Sequence, residues 1–165
     1  MNGCGEIVIY LGIDGVLHRD HEYKAPLFEW VHFLIDAMEP YPGVRLVLSS
    51  SWCLRPGYSR TLKRLPEELR HRFIGGTFHW RHHGSDPGAD KSFAELPRGV
   101  QILGDVLRRQ PRDWLALDDD GLDWPVWPTS LRGHLLLCDG SFGLSKAETR
   151  AELRFRLALM TAGAT

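Results

Sequence analysis

Short apolar runs alternate with helical patterns along these 165 residues, and this predicts an α/β fold. The expected architecture is a doubly wound, mostly parallel sheet with helices on both faces. Two observations carry that reading. The apolar runs are short and continuous, as strands buried on both faces must be. Several of them also end abruptly in carboxylates or hydroxyls, which packing alone does not explain.

Taken in chain order, Glu6–Leu11 is β-branched and apolar and reads as the first buried strand. Phe28–Met38 places Phe28, Val31, Ile35 and Met38 at helical spacing, and Pro40 and Pro42-Gly43 stop that helix. Val44–Leu48 is a second buried strand, ending in Ser49-Ser50-Ser51. Tyr58–Leu65 and Pro66–Phe73 read as short helices, with Pro66 suited to a first turn. Gly75–Trp80 is the candidate third strand, and His82–Lys91 a polar loop. Pro97–Gln110 is helical, with Val100, Leu103 and Leu107 expected on its buried face. Trp114–Leu117 is a strand ending in Asp118-Asp119-Asp120, and His134–Cys138 a strand followed by the turn signal Asp139-Gly140. Lys146–Met160 closes the pattern as a long helix that aligns Leu153, Leu157 and Met160. No repeat or linker interrupts it, so residues 1–165 read as one domain.

Composition narrows the function classes. The chain is 43% hydrophobic and 25% charged with a net charge of -1, so no global field draws it to nucleic acid or membrane. Locally, Trp52 to His83 carries Arg55, Arg60, Lys63, Arg64, Arg70, Arg72 and Arg81 against Glu67 and Glu68, with histidines added. Such a run is either a solvated helical surface or the rim of a site for an anion. Cys4, Cys53 and Cys138 have no metal-like spacing, and His79, His82 and His83 lack the partners of a zinc pattern. The N-terminus lacks the basic start and apolar run of a signal peptide, and no run is long enough to span a membrane. The expectation is a cytoplasmic protein with free thiols. Its oligomeric state is not encoded in any pattern.

In doubly wound sheets, polar residues just past the strand carboxyl ends gather in one crevice, where ligands bind. Here those ends deliver Asp14, Ser49 to Ser51, Asp118 to Asp120 and Asp139. Each has a plain alternative. Asp14-Gly15 is a turn signal. The serines suit a cap before Trp52. Asp118 to Asp120 suits a solvated loop.

Four motifs in order give the constellation a likeness: Gly12–His18, Leu48-Ser49-Ser50-Ser51-Trp52, Arg98-Gly99-Val100-Gln101-Ile102 and Trp114-Leu115-Ala116-Leu117-Asp118-Asp119. Together they resemble the haloacid dehalogenase (HAD) superfamily, and within it the small HAD domain of Swiss-army-knife RNA-repair proteins. The resemblance implies a Rossmann-like fold with a minimal cap or none, and Mg²⁺-dependent phosphatase chemistry. It implies that Asp14 is the general acid and base, with its backbone carbonyl helping to hold Mg²⁺. Ser49, with Ser50 as the fallback, would fix the phosphoryl group beside Gly15. Arg98, or Lys91 by residue type, would neutralise it. Asp119 would bind the metal directly, with Asp118 and Asp123 in support. An open site favours a large phosphorylated ligand, such as a nucleic-acid end or other polyanion.

The likeness fails at one decisive position. Where the family places its nucleophilic aspartate, this chain has Gly12. Glycine can form no phospho-enzyme and supplies no metal ligand. The strand itself gives no reason to need it, since glycine weakens strand interiors. Gln101 also stands where glutamate is expected, and Cys53 where the family often has arginine. Four readings follow. The chain binds a phosphorylated ligand without turnover; it hydrolyses with metal-activated water; it is an active phosphatase that has undergone an Asp→Gly change; or it is a structural protein that presents Trp124 and Trp127 to a partner.

Overall fold

Strand β1 (Ile7–Leu11) lies at the centre of a five-stranded sheet with β2 (Val44–Leu48), β3 (Phe73–Gly76), β4 (Asp113–Asp118) and β5 (Leu135–Leu137). The strand order is β3-β2-β1-β4-β5, and every pair is parallel. The computed structural model describes residues 5–20, 26–120 and 129–163.

All five residues of β1 are buried, as a central strand covered on both faces requires. Ile7, Ile9 and Leu11 join the larger core, with Leu46, Leu48, Leu115 and Leu117 from the flanking strands. That core is closed by Leu34, Ala37 and Met38 of α1 (Val31–Met38) and by Leu153 and Leu157 of α7 (Ala147–Ala162). Leu65 and Leu69, around α2 (Tyr58–Arg64) and α3 (Glu67–Arg70), complete it. The alternate residues Val8 and Tyr10 face a second cluster, with Val47, Trp114, Ala116 and Ile102 of α6 (Arg98–Arg109). Each fully buried leucine or isoleucine contributes roughly 1.5–3 kcal/mol of transfer free energy. Cys53 and Cys138 are buried free thiols, and among the described residues no helix is long and apolar enough to cross a membrane.

Three local expectations need correction. The third strand is Phe73–Gly76, not Gly75–Trp80. Phe78 turns into the core, and the His79 side chain accepts the Arg81 N–H, starting the short helix α4 (Trp80–His83). The expected polar loop His82–Lys91 therefore begins within the last two residues of α4, and α5 (Ala89–Ala94) begins before it would end. On α6 the buried residues are Gly99, Gln101, Ile102 and Asp105, whereas Val100 and Leu107 are 44% and 68% exposed.

Hydrogen bonds rather than apolar periodicity rotate α6. Asp105 is almost fully buried and accepts from the Tyr10 hydroxyl at 2.9 Å and from Arg109 Nε at 2.6 Å; Arg108 also pairs with it. Burial and the facing Asp105 carboxylate push the Tyr10 phenol well above its ordinary pKa, so it serves as a donor. A buried carboxylate is tolerable only when so satisfied, and it holds the helix face against β1. Asp105→Ala strands the hydroxyl and two guanidinium groups and is expected to cost about 3 kcal/mol. Tyr10→Phe, which removes one donor, is expected to cost about 1 kcal/mol. Urea denaturation midpoints of the two variants against the parent chain check both values.

Candidate functional site

The carboxyl ends of β1, β2 and β4 open onto a cavity of about 420 Å³. Gly12, Ile13, Asp14, Asp20, Ser49, Ser50, Ser51, Arg98, Asp118, Asp119 and Asp120 line it. Of the residues expected at a site, the fold thus brings together Gly12, Asp14, Ser49, Ser50, Arg98, Asp118 and Asp119. Lys91 is exposed on α5 and does not line the cavity, and Asp123 lies outside the described residues.

Gly12 is the first residue past β1, and its N–H donates to the Leu117 carbonyl at 2.8 Å. A Cβ built here would stand 3.0 Å from that same oxygen, 3.2 Å from Val16 Cγ2 and 3.4 Å from Asp118 Oδ2. The backbone at Gly12 is not left-handed, so its conformation does not call for glycine; a side chain here would need the Leu117 carbonyl and Val16 to give by a few tenths of an ångström. Gly15 is constrained differently. Its φ of +69° is left-handed, and a Cβ there would collide with the Asp119 carboxylate.

Asp14 is held from two sides. His18 Nε2 donates to Oδ1 and the Trp52 indole N–H to Oδ2, both at 2.9 Å. His18 is buried, and its Nδ1 accepts the Phe28 backbone N–H at 3.3 Å, which places the ring proton on Nε2. Phe28 has a φ of +60°, unusual for a bulky residue, and its ring packs against both His18 and Trp52. His18 and Trp52 stand within the sequence motifs, which assign neither a role. The available signal was the spacing of four residues from Asp14 to His18, plus an indole directly after the serine run.

The two buried serines differ in their bonding. Ser50 Oγ accepts the Trp52 N–H and caps the single 3₁₀ turn Ser51–Cys53. Ser49 is fully buried, and its Oγ has no hydrogen-bond partner among the described residues. An unsatisfied buried hydroxyl costs about 1–3 kcal/mol, so at a cavity wall it is available to a group that enters the cavity.

Arg98 opens α6 and reaches the opposite wall. Its Nε lies 3.4 Å from Asp118 Oδ2, and its Nη1 donates to Gln101 Oε1 at 2.9 Å. The Gln101 amide nitrogen in turn donates to the Phe93 and Leu96 carbonyls, each at 3.0 Å. Asp118 also accepts the Asp120 N–H at 3.0 Å. Burial raises its pKa, and Arg98 offsets part of that rise.

Asp119 completes the acidic side. Burial, with Asp118 and Asp20 nearby, pushes its carboxyl pKa up to about 7. Asp20, which no sequence pattern marked, is brought in by its N–H bond to the Gly140 carbonyl at 2.9 Å. Gly140 itself leaves room for Asp119. This crowd of oxygens has the donor chemistry of a hard dication, and such an ion would relieve its like-charge repulsion. Among the described residues, no group of three or more His, Cys, Asp or Glu side chains is preassembled around a metal position.

No curated protein matches the chain, and neither does any solved structure. Residues 8–149 match the model of the family described as the HAD domain in Swiss Army Knife RNA repair proteins. That span covers all five strands, the cavity and α6, and the chain belongs to this HAD-domain family.

Proposed function

We propose that this protein binds a phosphorylated ligand in the cavity, with Mg²⁺, and that turnover is impaired or absent because Gly12 stands in the nucleophile position. The observation that carries the reading is the Ser49 hydroxyl: fully buried, without a hydrogen-bond partner among the described residues, and lining the same cavity as Arg98. A tetrahedral oxyanion would accept its hydrogen and meet the guanidinium at once. Asp119 and the Asp14 backbone carbonyl, supported by Asp118, are the residues that would hold the metal. When bound, Mg²⁺ would supply charge neutralisation to the phosphoryl oxygens.

The ligand class follows from two features. The family description names RNA repair, and the segment from Arg55 to Arg81 is rich in cations. A phosphorylated nucleic-acid end fits both. A second reading, slow hydrolysis by an activated water, is favoured by one observation: Asp14 is held at the cavity by His18 and Trp52 as an acid–base group would need to be.

Three measurements separate these readings. Purified protein is expected to bind a phosphorylated oligonucleotide or phosphomonoester in calorimetry with no phosphate released, and Ser49→Ala is expected to weaken binding by roughly tenfold. Multiple turnover that disappears in Asp119→Ala would instead favour the hydrolytic reading. Gly12→Asp is expected to destabilise the fold by about 1–3 kcal/mol through crowding against Leu117 and Val16 and, by returning the carboxylate, to raise turnover above that of the parent chain. Thermal melts and a phosphate-release panel on that variant check this, and strong restored activity would mean that the site is an active one lacking only its carboxylate. Oligonucleotide affinity is also expected to fall linearly with the logarithm of salt concentration, with a slope near -0.7 per phosphate contacted.

A further inference from the structure

Arg98 reaches the cavity wall from the first position of α6, where Asp118 lies 3.4 Å from its Nε and a second side chain holds its guanidinium in place. Gln101 does this from one turn further along. Its Oε1 accepts Arg98 Nη1 at 2.9 Å, while both hydrogens of its amide nitrogen are spent on the Phe93 and Leu96 carbonyls at 3.0 Å. Gln101 is itself only 7% exposed. Both donors of that amide and one acceptor position of its oxygen are therefore taken up, by two carbonyls and one cation. The two carbonyls also fix which end of the amide faces Arg98, because only the nitrogen can donate to them.

A carboxylate at this position would meet Arg98 equally well, but it would set its negative charge against two carbonyl oxygens and neutralise the guanidinium. The amide orients without a counter-charge. We infer that Gln101 is a positioning residue that aims Arg98 into the cavity without setting a second carboxylate on it beside Asp118, and that it thereby favours a doubly charged tetrahedral oxyanion as the group bound by Arg98 and Ser49. This rests on the anion-binding reading above. It adds a determinant of which anion is held and how tightly.

The test uses inorganic sulfate, which stays doubly charged from pH 5 to 8, as the probe in calorimetric titrations of the full chain. Gln101→Glu is nearly isosteric and changes only charge and donor capacity. The parent chain is expected to bind sulfate. The variant is expected to bind it about tenfold more weakly at pH 8, a difference of about 1.4 kcal/mol. As the pH falls through the range where the new carboxyl protonates, the variant's affinity should climb back toward the parent's. Asp14 and Asp20 line the same cavity from the loop after β1, and Asp118, Asp119 and Asp120 from β4 and the turn after it, and all are common to both proteins. The reading is therefore the difference between the two pH profiles. A merely structural role for Gln101 would shift melting temperature without producing that pH-dependent difference.

Should Gln101→Glu fail to fold, Gln101→Met removes the bond to Arg98 without adding charge. It is expected to weaken sulfate binding about three- to tenfold, with a pH profile parallel to the parent's. Sulfate binding by the parent with unchanged affinity in the folded variant overturns the role of Gln101. Absence of sulfate and phosphate binding by the parent overturns the anion site itself.

Discussion

The site depends on the register of β1 between its two parallel neighbours. Leu11 pairs with Leu48 on one side and with Leu117 on the other, so the next residues of all three strands emerge at one level. The ladder continues past the strand ends: the Ser49 N–H donates to the Leu11 carbonyl at 2.9 Å, and Gly12 N–H to that of Leu117 at 2.8 Å. Gly12, Ser49 and Asp118 are thereby set side by side at the cavity before any side-chain contact is considered. Because a slip of one residue inverts the faces of a strand, the two buried clusters that fix the faces also fix the site.

Charge is distributed across that platform by the helix beneath it. Asp105 locks the middle of α6 to Tyr10, and Gln101 and Arg98 then fall at the cavity end of the same helix. The polar bonds that turn α6 away from its apolar stripe are the ones that deliver Arg98 to Asp118. Fold stability and site geometry share these contacts. A lesion at Asp105 therefore reaches the site through the helix.

Gly12 sits in tight packing at the position where the family resemblance implies a nucleophilic carboxylate. In this chain the Leu117 carbonyl, Val16 and Asp118 approach a built Cβ too closely for one to enter without adjustment. The neighbourhood of Gly12 is thus matched to glycine, while Asp14 stays held by His18 and Trp52. On the proposed reading, the groups that orient and bind are kept and the one that would attack phosphorus is not.

The sequence by itself determined the strand positions β1, β2, β4 and β5, the parallel α/β class, and the concentration of Asp14, Ser49 and Asp118–Asp119 at strand ends. Those features are written in local composition: continuous apolar runs cannot be exposed, and the polar residues that stop them cannot be buried far from the rim. Tertiary structure decided the rest. The buried face of α6 escaped periodicity because hydrogen bonds from Tyr10, Arg108 and Arg109 outweigh apolar matching. The tight surroundings of Gly12, the unpartnered Ser49 hydroxyl and the arrival of Asp20 all depend on atoms distant in the chain. The choice of Ser49 over Ser50 is of the same kind: identical residues in adjacent positions differ only in which one the turn at Trp52 consumes as a cap.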